Sequence, residues 1–100
     1  MQQLSPSVGV KVTPDLLRRL FDELLIFDKV LEGLFSSRLF WQSKNAPTHL
    51  AAGSSSQIHE YISPRGNVFA RVHQYIDPNN RPIGRPDPKN LRIDDVSLSV

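Results

Sequence analysis

Hydrophobic and polar residues alternate from Gln57 to Tyr75, on both sides of the sequence Ser63-Pro64-Arg65-Gly66. Proline presets φ at the second position of a type I turn, and glycine can adopt the left-handed conformation that closes a three-residue hairpin loop with a bulge. The pattern therefore predicts one β-hairpin, with Ser63 paired to Asn67. The register that follows is Ile62–Val68, Tyr61–Phe69, Glu60–Ala70, His59–Arg71 and Ile58–Val72.

This register gives the hairpin two chemically different faces, because side chains alternate along a strand. One face is aliphatic apart from Glu60, and we expect a helix to cover it: Ile58, Ile62, Val68, Ala70 and Val72. The other face is aromatic and cationic, and we predict that it is a binding surface: His59, Tyr61, Phe69, Arg71, His73 and Tyr75. The alternative is that Tyr61 and Phe69 form a cross-strand pair that packs under the helix.

A helix is predicted from Thr13 to about Glu32. Thr13 can cap the free backbone N–H groups, Pro14 suits the first helical position, and Asp15 complements the positive end of the helix dipole. Gly33 either ends the helix in a left-handed conformation, or the helix resumes beyond it towards residue 41.

The apolar face of this helix is broad and needs cover. The chain's own sheet is one cover, and a second copy of the helix is another, because Leu17, Leu24 and Leu31 recur every seven residues. We therefore predict a homodimer. The aromatic patch around Trp41 is interpreted as core, with a partner-binding patch as the alternative.

The remaining pattern predicts a strand at residues 8–12, a loop at 42–56, a turn at 77–80 and two short strands at 91–93 and 96–100. Three prolines and a glycine exclude residues 81–90 from a regular helix or a central strand. The predicted fold class is α+β: one long N-terminal amphipathic helix packed on a small antiparallel sheet centred on the hairpin. Residues 1–100 are expected to form a single small domain, with a loose N-terminus (1–7) and a proline-rich basic segment (78–90).

Composition adds little about the partner. The chain has 100 residues and a formal net charge of +2, which does not by itself indicate nucleic acid. From Ser63 to Arg92, however, six cations stand against two anions, and Arg81, Arg85 and Lys89 belong to this basic stretch. If they share one surface they can attract phosphate or an acidic partner; otherwise they are ordinary solvated charges.

The chain contains no cysteine, which excludes a disulfide framework and any thiolate metal site. No apolar run is long enough to span a membrane, and Met1 to Pro6 lacks the pattern of a secretory signal. We therefore expect a cytoplasmic protein with no membrane partner.

His59 and His73 are predicted to lie on adjacent rungs of one face, where two imidazoles can share a metal or act as acid and base. With Arg71 and Tyr75 they are the parts of a phosphodiester-cleaving site. No zinc-binding spacing, phosphate-binding loop or nucleophile elbow accompanies them. We predict no metal, no cofactor and no catalytic residue.

The sequence thus favours a small non-enzymatic interaction module that contacts a macromolecule, a protein or RNA, through the aromatic and basic hairpin face. The alternative is an RNA-binding protein or a small endoribonuclease that uses the same face. The predicted contact residues are His59, Tyr61, Phe69, Arg71, His73, Tyr75, Arg81, Arg85 and Lys89.

Overall fold

A computed structural model describes residues 8–100, and these form a six-stranded mixed sheet with two short helices on one face. The strand order is β1-β6-β5-β4-β3-β2, with β1 parallel to β6 and every other neighbouring pair antiparallel. The predicted loose N-terminus, 1–7, lies outside the described residues. The elements are β1 (Val8–Lys11), α1 (Pro14–Glu23), α2 (Ile26–Leu31), β2 (Ser36–Ser43), β3 (Ser55–Ile62), β4 (Val68–Ile76), β5 (Pro82–Ile93) and β6 (Val96–Ser99).

The prediction of one long helix on a small antiparallel sheet is wrong. The helix begins as predicted, since Thr13 Oγ1 accepts a hydrogen bond from the N–H of Leu16 at 3.2 Å and Pro14 is the first helical residue. It is interrupted after Glu23, because Leu25 adopts a left-handed conformation with φ of 54°. Of the two alternatives at Gly33, the first is correct: Gly33 is left-handed, and the chain then enters β2 instead of resuming a helix.

The interruption also removes the seven-residue leucine repeat as a dimer surface. Leu17 is fully buried beneath α1, whereas Leu31 is 69% exposed on α2. The two residues therefore belong to different surfaces of two separate helices. Neither α1 nor α2 combines the length and the apolar character needed to cross a bilayer, and residues 8–100 contain no other helix.

The core lies between the helices and one face of the sheet, which we call the covered face. Phe21 stacks on Tyr61, with 6.3 Å between the ring centroids. Ile26 reaches the same core because the chain turns at Leu25 and brings α2 back onto the sheet. The buried cluster consists of Leu17, Phe21, Ile26, Tyr61, Ala70, Val72 and Leu91.

The hairpin turn is confirmed, but the register beyond its first pair is wrong. The N–H of Ser63 donates to the carbonyl of Asn67 at 2.9 Å, and Ile62 pairs with Val68. Tyr61 then pairs with Ala70, so Phe69 is an extra residue on β4. Such a bulge shifts all later pairs by one position. Phe69 instead packs on Phe35, with 5.3 Å between the ring centroids.

The shift exchanges the partners on each face. His59 and Tyr61 of β3 share the covered face with Ala70 and Val72 of β4, and Glu60 shares the opposite face with Arg71. The expectation that the helix covers the aliphatic side of β3 is therefore wrong. The alternative that Tyr61 packs under the helix is correct, although its cross-strand partner is not Phe69.

The proline-rich stretch forms β5, a central strand between β4 and β6, so its predicted exclusion from such a strand is wrong. Two irregularities in the pairing of β4 with β5 accommodate it, and they leave Lys89 and residues 84–86 outside regular pairs. Gln74 Nε2 donates to the carbonyls of Ile83 at 2.9 Å and Gly84 at 3.1 Å, so a side chain supplies donors in this stretch. The predicted strands near both ends of the described chain, and the turn after Asp77, are confirmed.

Candidate functional site

The sheet face away from α1 and α2, the open face, holds only part of the predicted contact set. Arg71, His73, Tyr75 and Lys89 lie on it. Three predicted residues lie on the covered face instead: His59, Tyr61 and Phe69. The predicted single surface is therefore divided by the sheet, and the bulge at Phe69 is the cause.

The other two predicted cations lie at or beyond the rim. Arg85 of β5 forms an ion pair with Asp22 of α1 at 3.0 Å, and its guanidinium lies 5.9 Å from the centre of the Phe27 ring. Arg81 follows the turn between β4 and β5, where its backbone N–H donates to Asp77.

Two depressions on the open face adjoin at Lys89. One has a volume of about 330 Å³ and contains the side chains of His73 and Tyr75. The other has a volume of about 560 Å³ and contains those of Arg71 and Arg92. We call the two together the Lys89 groove. Its lining residues are Ile58, Val68, Arg71, His73, Tyr75, Ile83, Arg85, Asp87, Lys89, Asn90, Arg92, Ser97 and Ser99.

Glu60 forms an ion pair with Arg71, which lines the groove. Its side chain is only 4% exposed and lies between Arg38 of β2, at 2.6 Å, and Arg71 of β4, at 2.9 Å. Burial raises the pKa of Glu60, but the hydrogen bonds from Arg38 and Arg71 outweigh it and hold the pKa below its usual value. The carboxylate is therefore ionised at neutral pH, and it fixes Arg71 at the border of the groove.

Asp87 organises the junction of β5 with α1. It accepts a hydrogen bond from Arg18 Nε at 2.8 Å and another from Lys89 Nζ at 3.0 Å. The hydrogen bond from Arg18 is the largest influence that lowers the pKa of Asp87. Asp87 thus holds Lys89 between the two depressions.

Ser56, His73 and Asp87 are residue types of a nucleophilic triad, and the first two lie close together. Ser56 Oγ is 2.5 Å from His73 Nε2, and Asp87 is the cross-strand partner of His73. The Asp87 carboxylate, however, is engaged by Arg18 and Lys89, and Ser56 is buried. Burial, followed by the charge of Lys89, lowers the pKa of His73, so the ring is neutral at pH 7. We assign this cluster a structural role.

The predicted pair of histidines is not formed. His59 lies on the covered face, where its Nε2 is 2.7 Å from Gln57 Oε1 and its Nδ1 is 3.5 Å from Ser37 Oγ. His73 lies on the other side of the sheet. Within residues 8–100, no three histidine, aspartate or glutamate side chains lie close enough together to hold a metal ion.

An aromatic edge adjoins the groove on β2. Phe40 and Trp41 are 52% and 49% exposed, and the guanidinium of Arg71 lies 4.2 Å from the centre of the Phe40 ring. Sequence reasoning interpreted this patch as core, because aromatic residues are mostly buried. The exposure of both rings shows that the interpretation as core is wrong, and the alternative, a partner-binding patch around Trp41, stays a prediction.

Arg38 and Glu60 are the site residues that sequence reasoning missed. One signal for them was present: a glutamate in an otherwise aliphatic face requires a cation to accompany it if it is buried. Four cations and one anion, Asp87, line the Lys89 groove. Three of these cations are ion-paired: Arg71 with Glu60, Arg85 with Asp22 and Lys89 with Asp87. No protein-family model, curated protein or solved structure matches this chain.

Proposed function

We propose that the protein is a non-enzymatic binding module whose Lys89 groove holds the backbone of a single-stranded nucleic acid. The observation that carries the proposal is the position of Lys89 in both depressions. Arg71, Lys89 and Arg92 border the larger depression, and Lys89 also borders the smaller one. Cations in such a row neutralise successive phosphates, and the release of counterions drives binding.

Aromatic side chains at both ends of the groove support a single strand over a duplex. Tyr75 lies at one end, and Phe40 and Trp41 lie beyond Arg71 at the other. Bases of a single strand are free to stack on such rings, with a contribution of about 1–3 kcal/mol per base. Bases inside a duplex are already stacked on each other, so they are not free to stack on these rings.

Binding without cleavage is the form of the proposal that the geometry supports. The endoribonuclease hypothesis combined His59 with Arg71, His73 and Tyr75, and His59 lies on the opposite side of the sheet from the other three. His73 itself is held against Ser56. A cytoplasmic location remains a prediction from the sequence.

Fluorescence anisotropy with a labelled single-stranded RNA tests the proposal at about 50 mM and about 200 mM salt. The double variant Lys89→Gln/Arg92→Gln removes two groove cations. We expect it to weaken binding about tenfold or more at the lower salt. Its slope of log affinity against log salt should fall by about 1.4, because each phosphate contact on a single strand contributes about 0.7.

The matched control is Arg19→Gln/Arg65→Gln, which removes the same charge from α1 and from the hairpin turn. It should bind with the affinity and salt slope of the unmodified protein. No binding at the lower salt, or an equal loss in both double variants, contradicts the proposal. RNA recovered after incubation should be intact on a gel, and specific cleavage would contradict the non-enzymatic assignment.

A further inference from the structure

The two edge strands of the sheet, β1 and β2, differ in length and in the exposure of their apolar side chains. β1, as described, spans four residues and contains Gly9 and Lys11. β2 spans eight residues, and Leu39, Phe40 and Trp41 in its middle are each about half exposed. Natural sheets protect their edges with short strands and lysines. β2 has neither, and the bulge between Leu39 and Trp41 is its one protective feature of this kind.

We infer that β2 pairs in antiparallel fashion with β2 of a second copy of this chain, about a two-fold axis. Such pairing satisfies the backbone N–H and C=O groups on the outer side of β2, which its pairing with β3 leaves to solvent. It also buries the apolar side chains at the centre of the strand. The inference goes beyond the proposed function and does not depend on it.

Symmetry favours a second copy over repeated association. When β2 pairs with itself, the interface is isologous and the assembly closes at two copies. The edges that remain are those of β1, which are short and carry Lys11. Pairing of β2 with β1 of another copy would instead leave a free edge at each step and extend without limit.

Charge complementarity also favours self-pairing. Arg38 is the one charged residue among Ser36–Ser43. It is already paired with Glu60 at 2.6 Å, so two copies of β2 approach without uncompensated like charges. The open faces of both copies then form one surface. Phe40 and Trp41 of each copy lie between the two Lys89 grooves.

Light scattering across a dilution series of the unmodified protein tests the inference. We expect a mass twice that of one chain at high concentration, falling to one chain on dilution. Leu39→Lys adds a charge to the edge and should raise the dissociation constant at least tenfold. Leu31→Lys makes the same replacement at a more exposed leucine on α2, and it should leave the dissociation constant unchanged.

Trp41 provides a second readout that needs no variant, because it is the single tryptophan of the chain. Its emission should shift to longer wavelength as the dimer dissociates and water reaches the ring. A single-chain mass up to about 1 mM, which sets a lower limit on the dissociation constant, overturns the inference. Three other results would also overturn the inference. They are dimerisation that is lost in Leu31→Lys but kept in Leu39→Lys, assemblies larger than two chains, and tryptophan emission that is unchanged on dissociation.

Discussion

The covered and open faces of this sheet are made by alternate residues of the same strands, yet they are stabilised in different ways. On the covered face, Tyr61 and Val72 are buried because α1 and α2 pack on them. On the open face, Ile58 is only partly buried, and the most buried side chain is a glutamate between two arginines. The helices therefore pack on the side of β3 that contains Tyr61, and not on its more aliphatic side, which contains Ile58.

This difference separates stability from binding. Burial of apolar area contributes about 25 cal/mol per Å², so removal of a large side chain from the covered face costs several kcal/mol. Ion pairs with partly exposed partners contribute much less, since water competes for both charges. The open face can therefore be altered in charge while the fold persists, as a binding surface requires.

Truncation of one phenylalanine on each face should show the largest contrast. Phe21 is 1% exposed and stacks on Tyr61, so Phe21→Ala should lower the free energy of unfolding by about 3–5 kcal/mol. Phe40 is 52% exposed on the open face, and Phe40→Ala should cost about 1 kcal/mol or less. Urea denaturation of dilute protein measures both. Similar losses would mean that the open face carries core-like packing.

Removal of the Glu60 charge should have the next largest effect. Glu60→Gln leaves Arg38 and Arg71 without their shared carboxylate and should cost about 2 kcal/mol at pH 7. That is less than for a fully buried pair, because both arginines are about half exposed. The control, Glu32→Gln at the exposed end of α2, should change stability by less than about 0.5 kcal/mol.

The stabilisation that Glu60 provides should depend on pH, and the lowered pKa of Glu60 determines the direction of that dependence. The pKa of Glu60 is lowered in the folded protein, so its contribution is present above the usual pKa of glutamate. That contribution is lost as the pH falls through the lowered value. The stability difference between the unmodified protein and Glu60→Gln should therefore shrink on acidification from pH 7. A difference that stays constant would contradict the ion-pair account.

Local signals in the sequence predicted local structure well. Thr13 and Pro14 correctly predicted the start of α1, and Gly66 correctly predicted the hairpin turn. Each of these residues acts on the backbone conformation of its immediate neighbours. The interruption at Leu25 carries no such signal, since leucine is a good helix former, yet this residue is left-handed.

The candidate site was predicted in part for a related reason. Arg71, His73, Tyr75 and Lys89 were found because cations and aromatic residues are recognisable as types. Their separation from His59 depends on one extra residue, Phe69, and a one-residue shift moves every later side chain to the other face. The ring of Phe69, the extra residue of the bulge, contacts Phe35, and this contact joins residues that are distant in sequence.

Replacement of Leu25 by glycine, at the helix interruption, should have the smallest effect on stability. It should stabilise the protein, whereas the substitutions described above destabilise it. Leu25 has φ of 54° and is 56% exposed. A left-handed leucine costs about 1–2 kcal/mol, whereas glycine loses about 0.5–1 kcal/mol of chain entropy on folding. Leu25→Gly should therefore stabilise the protein by about 0.5–1 kcal/mol and raise the melting temperature by a few degrees.

The matched control is Leu31→Gly, which replaces another exposed leucine where α2 is right-handed. Glycine should there lower stability by about 0.5–1 kcal/mol, because the backbone gains freedom with no strain relieved. Thermal denaturation followed by circular dichroism measures both variants. A loss in both would mean that the side chain of Leu25 stabilises the covered face despite its exposure. The turn between α1 and α2 would then be held by packing, with the backbone conformation as its consequence.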